Sequence, residues 1–139
     1  MKNSRSHVLS LLLLVLALGC QQKVDGPFRV RLYGQVTLNG KSLETGTVHL
    51  IPLDGDRAKM SGAEIVNGSY DVSNKGGVIP GEYRVEFTAM KSIPPYIGGD
   101  GSEVTVEQYL PPKFNEKSEF TLSVEGKSRS MKHHFELKD

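Results

Sequence analysis

From Arg29 to the end of the chain, apolar side chains recur at alternate positions, the spacing that lines one face of a β-strand. Val30, Leu32, Val36 and Leu38 share a register, with Arg29, Arg31, Tyr33, Gln35 and Thr37 in the other. Gly34 falls in the apolar register, which marks a bulge or a close backbone approach. Asn39-Gly40 then predicts a tight turn, because both central residues of a two-residue hairpin need positive φ. Thr47–Pro52, Ala63–Val66, Ser69–Val72 and Glu82–Thr88 continue the strand pattern, with Asn67-Gly68 as a second turn. Tyr83, Val85 and Phe87 alternate with Arg84 and Glu86; Val104 and Val106, then Phe120, Leu122 and Val124, then Met131, His133, Phe135 and Leu137 do the same. No segment after residue 20 has a helical period. The expected fold is all-β: a single antiparallel sandwich of seven or eight strands over residues 29–139, Ig-like in its layers.

Composition removes several alternatives. The chain has 139 residues, one domain's worth. Its single Cys makes neither an internal disulfide framework nor a thiolate zinc site. Seventeen Lys+Arg stand against 16 Asp+Glu, so no basic footprint for nucleic acid is expected.

The N-terminus breaks the β pattern. Lys2 and Arg5 precede an apolar run, Val8 to Gly19, interrupted only by Ser10. A bilayer crossing needs about 20 residues, so the run reads as the apolar region of a secretory signal peptide over residues 1–19. It ends Leu16-Ala17-Leu18-Gly19-Cys20, which resembles the lipobox of bacterial lipoproteins, with Ala17 and Leu18 reversed relative to the commonest order. The resemblance implies cleavage between Gly19 and Cys20, a thioether diacylglycerol on the Cys20 sulfur and an acyl chain such as palmitate on its new amino group. Two or more chains give stable attachment, at about 0.8 kcal/mol per buried methylene. By the same resemblance, Gln21 after the Cys favours the outer over the inner membrane. Residues 20–28 form the lipidated tether. Its eight residues after the Cys reach at most ~28 Å, which keeps the domain near the bilayer on the periplasmic or surface side. Loss of Lys2 and Arg5 turns the formal charge from +1 to −1, so the mature chain is expected to have no strong overall field for gripping nucleic acid or anionic lipid.

Within the domain, Gly34-x-Val36, Gly40-x-x-Leu43 and Gly46-x-Val48, followed by Asn67-Gly68-x-Tyr70-x-Val72 and Pro80-Gly81-x-Tyr83-x-Val85, resemble the carboxypeptidase regulatory-like (transthyretin-like) domain. Each Gly supplies a turn, and the Tyr two residues later faces the core with its hydroxyl at the edge. Thr45–His49 and Leu110–Asn115 resemble segments of small planctomycete-type lipoproteins, in which a lipobox precedes one such domain. The resemblance implies a non-enzymatic structural, adhesive or ligand-presenting module. The related hydrolase of 5-hydroxyisourate ends in Tyr-Arg-Gly-Ser; this chain ends Glu136-Leu137-Lys138-Asp139.

The residues offer few chemical constellations. His133 and His134 are adjacent and point to opposite strand faces; His49 with one of them is the only zinc arrangement to weigh, and it would make a metal-dependent enzyme the remote alternative. Asp54 and Asp56 around Gly55 suit an Asx turn or a calcium loop without the EF-hand pattern. Glu116 with Glu119, and Glu103 with Glu107, read as solvated faces. There is no Gly-x-Ser-x-Gly elbow and no phosphate loop. No cofactor, metal or catalytic residue is therefore expected. The suggestive stretch is Met90–Asn115, with Pro94-Pro95-Tyr96, the Gly98–Gly101 tip and Tyr109–Phe114. Tyr96, Tyr109 and Phe114 form a candidate binding surface for an envelope protein or a glycan. Otherwise Tyr109, Leu110 and Phe114 close one end of the sandwich. Strand addition at a sheet edge is a further binding mode.

Overall fold

The computed structural model describes residues 26–55, 58–93 and 105–139. Gly19, Cys20, Asp56 and Tyr96 lie outside them. Eleven strands are present among the described residues: β1 (Arg31–Leu38), β2 (Lys41–Ser42), β3 (Thr45–Pro52), β4 (Ser61–Val66), β5 (Ser69–Val72), β6 (Gly81–Thr88), β7 (Met90–Ile93), β8 (Thr105–Gln108), β9 (Thr121–Val124), β10 (Ser130–Lys132) and β11 (Phe135–Leu137). The only helical turns described are two single 3-10 turns, Asn74–Gly76 and Pro112–Phe114.

The two Asn-Gly turns form as the φ requirement dictates. Asn39 and Gly40 have φ of 51° and 79°, Asn67 and Gly68 of 50° and 76°. They join β1 to β2 and β4 to β5. The main sheet runs β10-β1-β5-β4-β3-β6-β9, with β11 and β2 also on β1, and β7 pairs only with β8. Alternation places Leu32, Val36, Val48, Leu50, Val85, Phe87, Leu122 and Val124 on one face, where all are buried. That face is rolled inward: Phe87 of β6 meets Phe135 of β11 edge-to-face at 5.0 Å, although the two strands are far apart in sheet order. Each fully buried aliphatic or aromatic side chain contributes about 1.5–3 kcal/mol, and this curled all-β core needs no cross-link.

Tyr70 and Tyr83 stand where the turn-glycine spacing places them. Both rings are buried; the Tyr70 hydroxyl donates to the His133 carbonyl at 2.8 Å and the Tyr83 hydroxyl to the Ile79 carbonyl at 2.6 Å. The second bond, four residues back, ties the Pro80-Gly81 corner to the strand that follows it.

The last strand departs from the expectation in two ways. It runs parallel to β1, and it is split in two. The break lies over Gly34, whose missing side chain leaves room for the His133 carbonyl: a Cβ there would lie 1.7 Å from that oxygen. His133 N–H still donates to Tyr33, while the Gln35 N–H is satisfied by the His134 Nδ1 rather than by a carbonyl. Side chains thus replace ladder bonds for two residues before pairing resumes at Val36 and Phe135.

Candidate functional site

Within the 90–115 stretch, the described residues 90–93 and 105–115 form a strand pair followed by a 3-10 turn. After β6, buried Ala89 leads into β7, which pairs antiparallel with β8 from Met90↔Gln108 to Ile93↔Thr105. The Gln108 side-chain oxygen accepts from the N–H groups of Ala89 at 2.9 Å and Leu110 at 3.3 Å, clamping the base of this ribbon. The chain then turns through Pro111-Pro112, and Leu110 and Phe114 enter the core. Phe114 is 2 % exposed and packs 6.1 Å from the Phe120 ring centre. It therefore leaves the candidate binding surface: the 3-10 turn folds it back as a plug at this end of the sandwich. Tyr109, 37 % exposed, stays at the surface. Tyr96 lies outside the described residues, and of the other two aromatics expected there one is exposed and one buried.

The histidines are dispersed. His49 gives its Nε2 to the Thr47 hydroxyl at 3.1 Å on the outer side of β3. His133 is half-buried against the Phe135 ring at 4.6 Å. Burial first, and the neighbouring His134 second, hold its imidazole below the ordinary value. His134 is on the opposite, exposed side. Among the described residues no group of three or more His, Cys, Asp or Glu is placed to hold a metal ion.

A different feature dominates the surface. β4 pairs with β3 along its whole length, but with β5 only at Ile65↔Tyr70 and Val66↔Ser69. Below that point β4 and β5 part, and an open cleft runs between them. Gly62 and Asn74 border both of its halves, of about 920 Å³ and about 420 Å³. These are the dimensions of small-ligand sites.

The larger half lies on the outer face of β1 and β5. Arg31 clasps Asp71, its Nε 3.0 and 3.1 Å from the two carboxylate oxygens. These hydrogen bonds hold the Asp71 carboxyl below the usual range and push the guanidinium up. The Arg31 head also sits 5.2 Å from the centre of the half-buried Tyr33 ring. Gln35, Glu64, Lys132 and His134 complete a wall of donors and acceptors with charges of both signs.

The smaller half opens at the end where the chain enters the domain. Arg29, Lys59 and Lys75 line it, together with Met60 and Ile79, and among the described residues no carboxylate does. Arg29 donates to the Gly77 carbonyl at 2.9 Å. The cleft can thus accept a polar ligand along its length and an anion at its lower mouth. Sequence reasoning missed it because it arises from strand divergence; the basic residues at 29, 59 and 75 are too far apart in the chain to read as a patch.

No family model, curated protein or solved structure matches the chain.

Proposed function

We propose that the chain is a lipid-anchored envelope protein whose β-domain has a structural or binding role and no catalytic one. The carrying observation is the pentapeptide Leu16–Cys20, which closes an apolar run and puts the only Cys of the sequence a few residues before a β-domain. On this reading residues 1–19 are a cleaved signal peptide and Cys20 carries the acyl chains. The protein resides in the envelope, and Gln21 favours the outer over the inner membrane. The domain itself is carboxypeptidase regulatory-like. The two turn-glycine, core-tyrosine units, each closed by a tyrosine hydroxyl on a backbone carbonyl, support that assignment. The test is metabolic labelling with an alkyne-bearing palmitate analogue in the host. Wild-type protein takes up the label and Cys20→Ser does not; equal labelling of both, or of neither, overturns the reading.

The β4–β5 cleft favours a second, compatible reading, a module that binds a glycan or an envelope protein. Its larger half combines a half-buried aromatic ring with planar hydrogen-bonding groups, the combination that grips a sugar by stacking and directed polar contacts. Retention of envelope glycans by the immobilised protein, lost in Tyr33→Ala but kept in Tyr109→Ala, supports this reading. Loss in Tyr109→Ala alone would return the role to the 90–115 stretch.

A further inference from the structure

The lower mouth of the cleft belongs to a larger surface. Antiparallel pairing brings the start of β1, the end of β5 and the start of β4 to one end of the domain, and the parallel pairing of β10 with β1 adds the start of β10. Four cations gather there: Arg29, Lys59, Lys75 and Arg129. None of them makes an ion pair among the described residues. Lys127 at the same end is spent on Glu125 at 2.8 Å. The carboxylates Asp54 and Glu82 border a separate hollow with Leu53. Between the cations stand apolar side chains that the fold leaves in solvent. Met60 is 63 % exposed, and Phe28, 38 % exposed, lies under the Arg129 guanidinium at 4.4 Å.

A near-neutral sum of charges conceals this arrangement, because a surface responds to local charge and the field decays within about 8–10 Å in salt. Exposed apolar tips amid unpaired Lys and Arg are the composition of a lipid–water interface binder, with stems and rings in the interface and cationic heads at phosphate depth. The position agrees. The chain enters the domain at this end, through Gly26-Pro27-Phe28, and residue 20 is at most ~28 Å of chain from Phe28.

We infer that this end of the domain lies on the lipid surface, with Arg29, Lys59, Lys75 and Arg129 against anionic phospholipid headgroups and Met60 and Phe28 in the interface. The inference rests on the lipid-anchor reading for its geometry, and it adds an orientation: the larger half of the cleft then opens sideways, just above the bilayer. A second copy of the chain is the less fitting occupant, because its matching end carries the same unpaired cations.

Hydrogen exchange followed by mass spectrometry tests the idea on the full chain purified from its host. The protein is placed in vesicles of phosphatidylcholine alone, and of phosphatidylcholine with one quarter phosphatidylglycerol. The amides of residues 58–61 and 73–77 are expected to exchange several-fold more slowly in the anionic vesicles. The protection is expected to disappear at 1 M salt and in the exposed-site variant Lys59→Glu/Lys75→Glu, while residues 66–68 and 105–109 at the far end do not change. Equal exchange in both vesicle types overturns the inference. So does protection at the far end, or protection that grows with protein concentration in detergent without lipid, which would mean a second copy. The Cys20 peptide in the same digest reports acylation independently. If Cys20 is bare, the anchor reading fails while the comparison of vesicles still decides the inference.

Discussion

The missing side chain at Gly34 decides how the end of the chain packs. The His133 carbonyl occupies the space, and the Tyr70 hydroxyl then finds its acceptor there. Gly34→Ala puts a methyl against backbone, which cannot move as a flexible side chain can. We expect a loss of roughly 3 kcal/mol or more in urea unfolding, whereas Gly55→Ala, with nothing within 4 Å, should stay within about 0.5 kcal/mol. His133 adds a pH dependence. Because its folded imidazole is less basic than the ordinary 6.5, the unfolded chain binds that proton first. Its contribution to stability is full above the ordinary imidazole value and is lost as pH falls through it. The melting temperature should therefore drop between pH 7.5 and 5, and drop less in His133→Asn. The close approach at Gly34 was legible from a glycine in an apolar register; its partner was not, since alternation says which way a residue faces and nothing about what meets it.

Among the elements, those that bury a face were legible, whereas of the exposed ribbon only β8 was, from the alternation of Val104 and Val106. β1, β3, β6 and β9 carry clean alternation because one side of each is core. The β7–β8 ribbon stands off the main sheet with Met90 and Val106 about half exposed, so no burial pattern marks it as paired. The direction of β10 and β11 was equally hidden, because the period is two in parallel and antiparallel strands alike. The Pro111–Phe114 turn separates two aromatics that sequence spacing had grouped. Phe114→Ala should cost about 3–5 kcal/mol by opening a cavity beside Phe120. Tyr109→Ala should change stability by no more than about 1 kcal/mol. Similar losses in the two variants would contradict the core assignment of Phe114.

For the whole molecule, charge is organised by position more than by amount. Arg31–Asp71, Lys127–Glu125 and Lys138–Glu136 are exposed local pairs, and each contributes little to stability. Arg29, Lys59, Lys75 and Arg129, which have no ion-pair partner among the described residues, gather at the end the chain enters, beside the narrow half of the β4–β5 cleft. Composition could not display this, because it depends on which strand ends the sheet brings together. The proposed lipid anchor rests on the sequence alone, and the proposals of a membrane-facing end and a sideways cleft take their geometry from it. The intact mass of the native protein, extracted from host membranes and fragmented to locate its modification, tests it most directly. The account predicts a chain beginning at Cys20, with diacylglycerol on sulfur and an acyl group on the amino terminus. A water-soluble chain with an unmodified Cys20 thiol would contradict it.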